Sequence, residues 1–274
     1  MSNTAKSTPQ ASNKGAGSIF PLIVIPLAIV LGFIIWKVIL GTPANFKDGN
    51  TAGEPLPGSI LGMMYKGGFI VPILIAQLLI VITFCIERFI TIARAAGVGS
   101  MDAFLRKVMG LVDKNDISAA MAECNKQKGS LGNVVYSGLH KYREMQSEAS
   151  LEKDQKVLAI TKEVEEATTL ELPMLEKNLN ILATIASVAT LFGLLGTVIG
   201  MIRAFAALSV AGSPDASALA TGISEALINT ALGIGTSAIA IIAYNYFTNR
   251  IDGLTYRIDE AGYSLTQAFA SSQK

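Results

Sequence analysis

The stretch ILATIASVATLFGLLGTVIGMI, residues 181–202, decides the reading of this chain. It holds no charged side chain, and about 20 predominantly apolar helical residues are what the hydrocarbon core of a bilayer requires. Irregular backbone cannot face lipid, because its amides and carbonyls would find no partner there, so the stretch is read as a helix. Ala186, Ala189, Gly193, Gly196 and Gly200 recur at steps of three and four and line up as one stripe of small residues. Apolar side chains have no hydrophobic reason to associate in lipid, and such stripes let two helix backbones approach closely. Ser187, Thr190, Leu194 and Thr197 form a neighbouring stripe with three hydroxyls. Their null role is a bond back to a carbonyl one turn earlier.

Three more runs have the same character. Residues from Ile19 to Leu40 contain one charge, Lys37; those from Phe69 to Ile86 contain none and stop at Glu87-Arg88; those from Ala216 to Thr248 contain only Glu225. The first run exceeds the roughly 7–15 apolar residues of a secretory leader and leads into Lys37, so a retained anchor is expected. Lys6 and Lys14 precede it, Arg88, Arg94, Arg106 and Lys107 follow the second run, and Arg250 follows the fourth. That bias predicts both termini on the cytoplasmic side.

The whole chain has 274 residues, 51% hydrophobic and 16% charged, with a formal net charge of +1. Soluble domains carry about 25% charged residues, which argues against a free-standing globular enzyme, and the balanced charge gives no reason to expect a nucleic-acid partner. The charge is concentrated: residues 95–180 hold 24 of the 43 charged side chains, so this block is in water, and its pattern is helical. Ser150 to Lys153 are expected to open its last helix, with Ser150 and Asp154 at the positive end. Pro173 is expected to bend that helix before it enters the third span. The predicted organisation is a disordered cytoplasmic tail over 1–18, an N-terminal transmembrane helix over 19–40 and a Gly- and Pro-rich irregular periplasmic loop over 41–67. A transmembrane helix over 68–94, the cytoplasmic helical domain over 95–180 and a transmembrane helix over 181–203 come next. A short periplasmic loop over 204–215, a transmembrane helix over 216–249 and a cytoplasmic C-terminal helix over 250–274 complete it. The fold class is an all-α membrane protein whose long transmembrane helices extend into a helical cytoplasmic domain.

Chemistry-bearing residues are few. One histidine, His140, and two separated cysteines, Cys85 and Cys124, support neither a metal site, a triad nor a disulfide framework, and no cofactor is implied. The glycines of 193–197 are not a phosphate loop, since no lysine follows and the run lies in a span. On the fourth span Gly222, Ala226, Thr230, Gly233 and Ser237 share one face, and Glu225, Asn229 and Thr236 another. Glu225 is the costly residue: a carboxylate at the bilayer centre costs at least about 2.5 kcal/mol, so an intramembrane acid is a functional candidate by default. It is open whether it titrates, bonds to hydroxyls of a neighbouring subunit, or sits in a wet vestibule. Gln77 and Pro72 read as packing residues and Glu87-Arg88 as an interfacial ion pair.

The runs Thr184 to Ser187 and Leu191 to Ile202, then Gly222 to Gly233 followed by Ala243-Tyr244-Asn245, resemble the signature of the MotA/TolQ/ExbB proton-channel proteins. Glu87-Arg88-Phe89 fits as well. The resemblance covers about 67–265, and the short second outer loop with a large cytosolic block is more similar to ExbB or TolQ than to MotA. It implies a subunit of an inner-membrane, ion-driven motor: a pentamer whose last two helices surround a single-span ExbD- or TolR-like partner carrying a membrane aspartate. Through a TonB-like transducer such a motor serves outer-membrane transport; Tol-Pal and gliding motors are the related alternatives. By position Thr197 and Thr230 resemble the family's pore-lining threonines and Glu225 its membrane glutamate. Ser187, Thr190 and Ser237 are further candidates for the ion pathway, and Gly193, Gly196, Gly200, Gly222 and Gly233 for helix packing. The chain departs from the family at Thr190, where proline is common, and in the extra helix 19–40. A secondary transporter would need a repeat, which the chain lacks; a non-conducting scaffold would explain the small-residue stripes equally well.

Overall fold

The computed structural model describes residues 16–210 and 216–272, with side chains over 19–206 and 219–272. The expected disordered tail lies almost wholly, and the second outer loop in part, outside these residues. Among the described residues there is no strand, only an isolated bridge between Phe46 and Pro55. Four helices are long and apolar enough to cross a membrane. The chain divides into two compact units, one from Met1–Thr83 with Ser187–Ser237, the other from Phe84–Ala186 with Ala238–Lys274.

The first unit begins with α1 (Ala16–Ile34), which runs on as a π-helical turn, Ile35–Leu40. Its last carbonyls are not left bare. Gly41 N–H bonds Trp36 O at 3.0 Å, the Thr42 hydroxyl bonds Val38 O at 2.8 Å, and Asn45 Nδ2 bonds Leu40 O at 3.0 Å. The segment 41–67, expected as an irregular connector, is ordered instead. Turns at Pro43–Asn45 and Lys47–Gly49 lead to α2 (Ile60–Lys66), capped by the Ser59 hydroxyl on Gly62 N–H. A small aromatic core holds it. Trp36 stacks on Tyr65 at 4.8 Å, Phe46 meets Tyr65 edge-on at 5.4 Å, and the Lys66 ammonium lies 5.9 Å from the Phe46 ring. Trp36 and Tyr65 are 29 positions apart, which is why no local pattern announced the cluster. Next, α3 (Ile70–Ala95) passes α1 closely; a Cβ at Gly32 would lie 3.2 Å from Ala76 Cβ.

In the second unit, α4 (Met101–Val112), α5 (Ile117–Gln127), α6 (Ser130–Ser147) and α7 (Lys153–Glu176) pack with the far end of α9 (Ala216–Ser272). Their apolar residues recur at helical spacing. Val108, Ala120, Leu131, Leu139, Ile160 and Ile258 are buried completely. Close passage needs small residues: a Cβ at Gly138 would stand 2.7 Å from Leu265 and 2.8 Å from Val164. The α7 start is not capped by Ser150, whose hydroxyl bonds Glu148 at 2.7 Å; Glu152 and Gln155 form a reciprocal capping box instead.

Nor does Pro173 end the helix. It stays inside α7, and the chain leaves helical geometry at Lys177 and Asn178, the latter at φ 66°, before α8 (Leu179–Val210) begins. Asparagine tolerates that left-handed conformation better than most residues, and the ends freed by the break find partners on α3. Arg88, 1% exposed, donates from Nη1 to Leu175 O at 3.1 Å and from Nε to Glu87 at 2.6 Å. Glu87 also accepts from Thr91 at 3.1 Å and Asn178 at 3.4 Å. The pair read as interfacial holds this joint, with Arg88 buried and Glu87 partly exposed. Both α8 and α9 also exceed their apolar spans. At about 1.5 Å per residue the 57 residues of α9 run roughly 85 Å, far beyond the ~30 Å hydrocarbon core, so the expected boundary at residue 249 falls inside one helix, Ala216–Ser272, and that helix must leave the membrane.

Removing one member of a buried pair strands the other. Arg88→Met is expected to cost about 3 kcal/mol, read as a lowered unfolding midpoint in detergent, and an unchanged midpoint would refute the joint. Burial pushes the Cys124 thiol up to about 12, so at neutral pH the thiolate is scarce. Cys124 is expected to resist iodoacetamide in the folded chain and to react once denaturant is added, as mass spectrometry would show.

Candidate functional site

The site is the seam between α8 and α9 in the first unit. The two helices run antiparallel, and small residues meet in register along them. Gly193 faces Gly233, Gly196 faces Asn229, Gly200 faces Ala226, and Ala204 faces Gly222. A Cβ at Gly233 would lie 2.6 Å from Ala189 O and 2.7 Å from Gly193 Cα; at Gly196 it would lie 2.5 Å from Asn229 Cβ. All five glycines singled out for packing thus stand on one contact line. Backbones this close leave no room for any larger residue.

The same approach brings the two threonines together. Thr197 and Thr230 hydroxyls hydrogen-bond each other. Thr197 Oγ1 is also 3.3 Å from Gly193 O and 3.4 Å from Ala226 O, and Thr230 Oγ1 is 3.3 Å from Gly193 O. Two half-buried hydroxyls and two helix carbonyls therefore make one polar patch where the two helices meet. A hydroxyl both donates and accepts, so the patch can solvate a carboxyl in either protonation state.

The other candidates are dispersed. Ser187 is exposed, Thr190 half-buried and Ser237 buried. Glu225 is not on the seam. It is half-buried and lines a cavity of about 280 Å³ together with Glu54, Met63, Lys66, Thr221 and Ser224, and the charges of Lys66 and Arg203 act on it. Asn229 shares a helix face with Glu225 in the sequence. It is 2% exposed, donates from Nδ2 to Gly67 O at 3.0 Å and lies under Gly196, so it ties α9 to α8 and to the turn entering α3. Its Oδ1 has no hydrogen-bond partner among the described residues. An amide in an apolar helix was the available signal. Leu191, Leu194, Val198, Leu227 and Ile234 leave large apolar faces uncovered on both helices, as suits lipid or neighbouring subunits.

Because its Cβ would meet backbone, Gly233→Val is expected to force α8 and α9 apart. A disulfide introduced between Thr197→Cys and Thr230→Cys should form in the parent chain and fail in that variant, as gel mobility would show; unchanged crosslinking would refute the close seam.

Residues 126–260 match the family model described as the MotA/TolQ/ExbB proton channel family. The chain is 27% identical over 165 residues to a Tol-Pal system protein TolQ of Pseudomonas aeruginosa, covering 60% of this chain and 71% of that one. It is 42% identical over 88 residues to a TolQ of Haemophilus influenzae, covering 32% and 39%. Over 115 residues it is 30% identical to a biopolymer transport protein ExbB of Xanthomonas campestris pv. campestris, covering 42% and 46%. The matches thus span less than half the length of the last two relatives. The α8–α9 seam with its paired threonines falls inside the matched region, so residues 126–260 are a MotA/TolQ/ExbB proton channel family domain.

Proposed function

We propose that this chain is a subunit of an inner-membrane motor that converts proton-motive force into mechanical work. In this reading both termini are cytoplasmic and copies of the chain form a homo-oligomer, a pentamer by family resemblance. Their α8 and α9 helices enclose a single-span ExbD- or TolR-like partner with a membrane aspartate. A charge moved across the membrane is worth about 2.3 kcal/mol per 100 mV. To turn this into motion, the partner's carboxyl must be neutral against apolar walls and ionised where hydroxyls or water meet it. The observation that carries the reading is the Thr197–Thr230 pair, two hydroxyls held together in an apolar seam. Ser187, Thr190 and Ser237 would extend the polar path, and the motion would pull on a TonB-like transducer for outer-membrane transport. The broad match to a protein named for the Tol-Pal system favours a second reading, the TolQ-like role in the envelope. A gliding-type motor shares the same seam.

Valine keeps the shape of threonine without its hydroxyl, and removing both members of a hydrogen-bonded pair is nearly neutral for stability. The double variant Thr197→Val, Thr230→Val is therefore expected to assemble and to co-purify with its partner while losing energised transport. Full TonB-dependent uptake, or full Tol-dependent envelope integrity, in that variant would overturn the proposal and leave the non-conducting scaffold.

A further inference from the structure

The cavity over Glu225 is built from two parts of the chain far apart in sequence. Its floor is the start of α9, with Thr221, Ser224 and Glu225, inside the family-matched region. Its wall is the segment from Glu54 to Lys66, outside that region. The wall is fixed. Lys66 Nζ donates to Ala52 O at 2.8 Å, Lys47 pairs with Glu54 at 2.5 Å, and Gly67 O holds Asn229 at 3.0 Å. A Cβ at Gly62 would come within 2.6 Å of Asn45 O, so the segment is packed against itself. The aromatic core of Trp36, Phe46 and Tyr65 anchors it to the end of the first helix.

A plug made only for packing would line such a space with apolar groups. Here two carboxylates, an ammonium and two hydroxyls share it with apolar atoms. At 280 Å³ it holds on the order of ten waters. We propose that the segment 54–66 forms a hydrated antechamber through which water and small monovalent ions reach Glu225, with Lys66 the charge that sets which ions gather there. The charged groups around it are Glu54 with its partner Lys47, Lys66, Arg203 and Glu225. A fixed ammonium in the lining of this mixed polar and apolar space raises the local concentration of anions and lowers that of cations. The inference deepens the motor reading, since it assigns an access route to that reading's intramembrane acid.

Access can be measured without any transport. The full chain, in membranes with its natural partners, would carry Ser224→Cys or, separately, Ala44→Cys. The latter is an exposed site on the same outer segment that reports which side the segment faces. Membrane-impermeant cationic and anionic methanethiosulfonates would be added from each side, with labelling of the unsubstituted chain subtracted. Position 224 is expected to react from the side that labels position 44, and Lys66→Glu to raise the cationic-to-anionic rate ratio roughly tenfold. Protection of position 224 while position 44 reacts would overturn the antechamber, and a ratio indifferent to Lys66→Glu would overturn the role of Lys66. Thr221→Cys, one turn away on the same lining, replaces Ser224→Cys should that variant fail to reach the membrane. Full energised transport in the Thr197→Val, Thr230→Val chain with position 224 still labelled would sink the motor reading alone, and protection of position 224 with transport intact would sink only this one.

Discussion

The near-contact of the α8 and α9 backbones is the constraint on which the candidate site depends. In lipid there is no hydrophobic gain from pressing two apolar helices together, so their association rests on packing at short range and on polar pairs. Gly193 against Gly233 and Gly200 against Ala226 supply the short range. Once the backbones are that close, Thr197 and Thr230 reach one another and share the Gly193 carbonyl. The hydroxyl patch is thus a consequence of the glycine register, and the helices' apolar outer faces remain free for lipid and other subunits.

A second constraint sits at the joint between α7 and α8. Breaking a helix exposes carbonyls that must be satisfied, and Arg88 satisfies the one at Leu175 while its charge is held by Glu87. A buried arginine is costly unless it is paired and hydrogen-bonded, and here Glu87 holds the charge while the carbonyl of Leu175, 87 positions along the chain, accepts from Nη1. Asn178 serves the same joint twice, through its left-handed backbone and its amide on Glu87. The joint lets one chain be a soluble helix over α7 and an apolar one over α8.

The resemblance to channel-motor proteins and the seam geometry inform each other. The family model covers the seam and much of the soluble bundle. The first helix and the ordered segment after it lie outside the match, yet that segment meets α9 beside Glu225. A segment outside the family-matched region therefore shapes the surroundings of the acid that the matched region carries.

Spans, small stripes and the charged block were legible in the sequence because each rests on a local count: apolar residues over the width of a bilayer, small residues at steps of three and four, or charges per length. The stripes that carry Thr197 and Thr230 rest on the same spacing, whereas their pore-lining role rests on the family resemblance. What local counting does not reach is any contact between distant positions. The aromatic core joining Trp36 to Tyr65, the cap of Glu152 in place of Ser150, the break after Pro173 and the anchor of Asn229 on Gly67 were all decided by packing. Composition by itself determined that this chain enters a membrane as helices, since only a helix satisfies its backbone there. Which residues of those helices face each other, and that Glu225 opens onto a polar cavity away from the threonine pair, was decided only when the chain folded back and its close contacts chose one register.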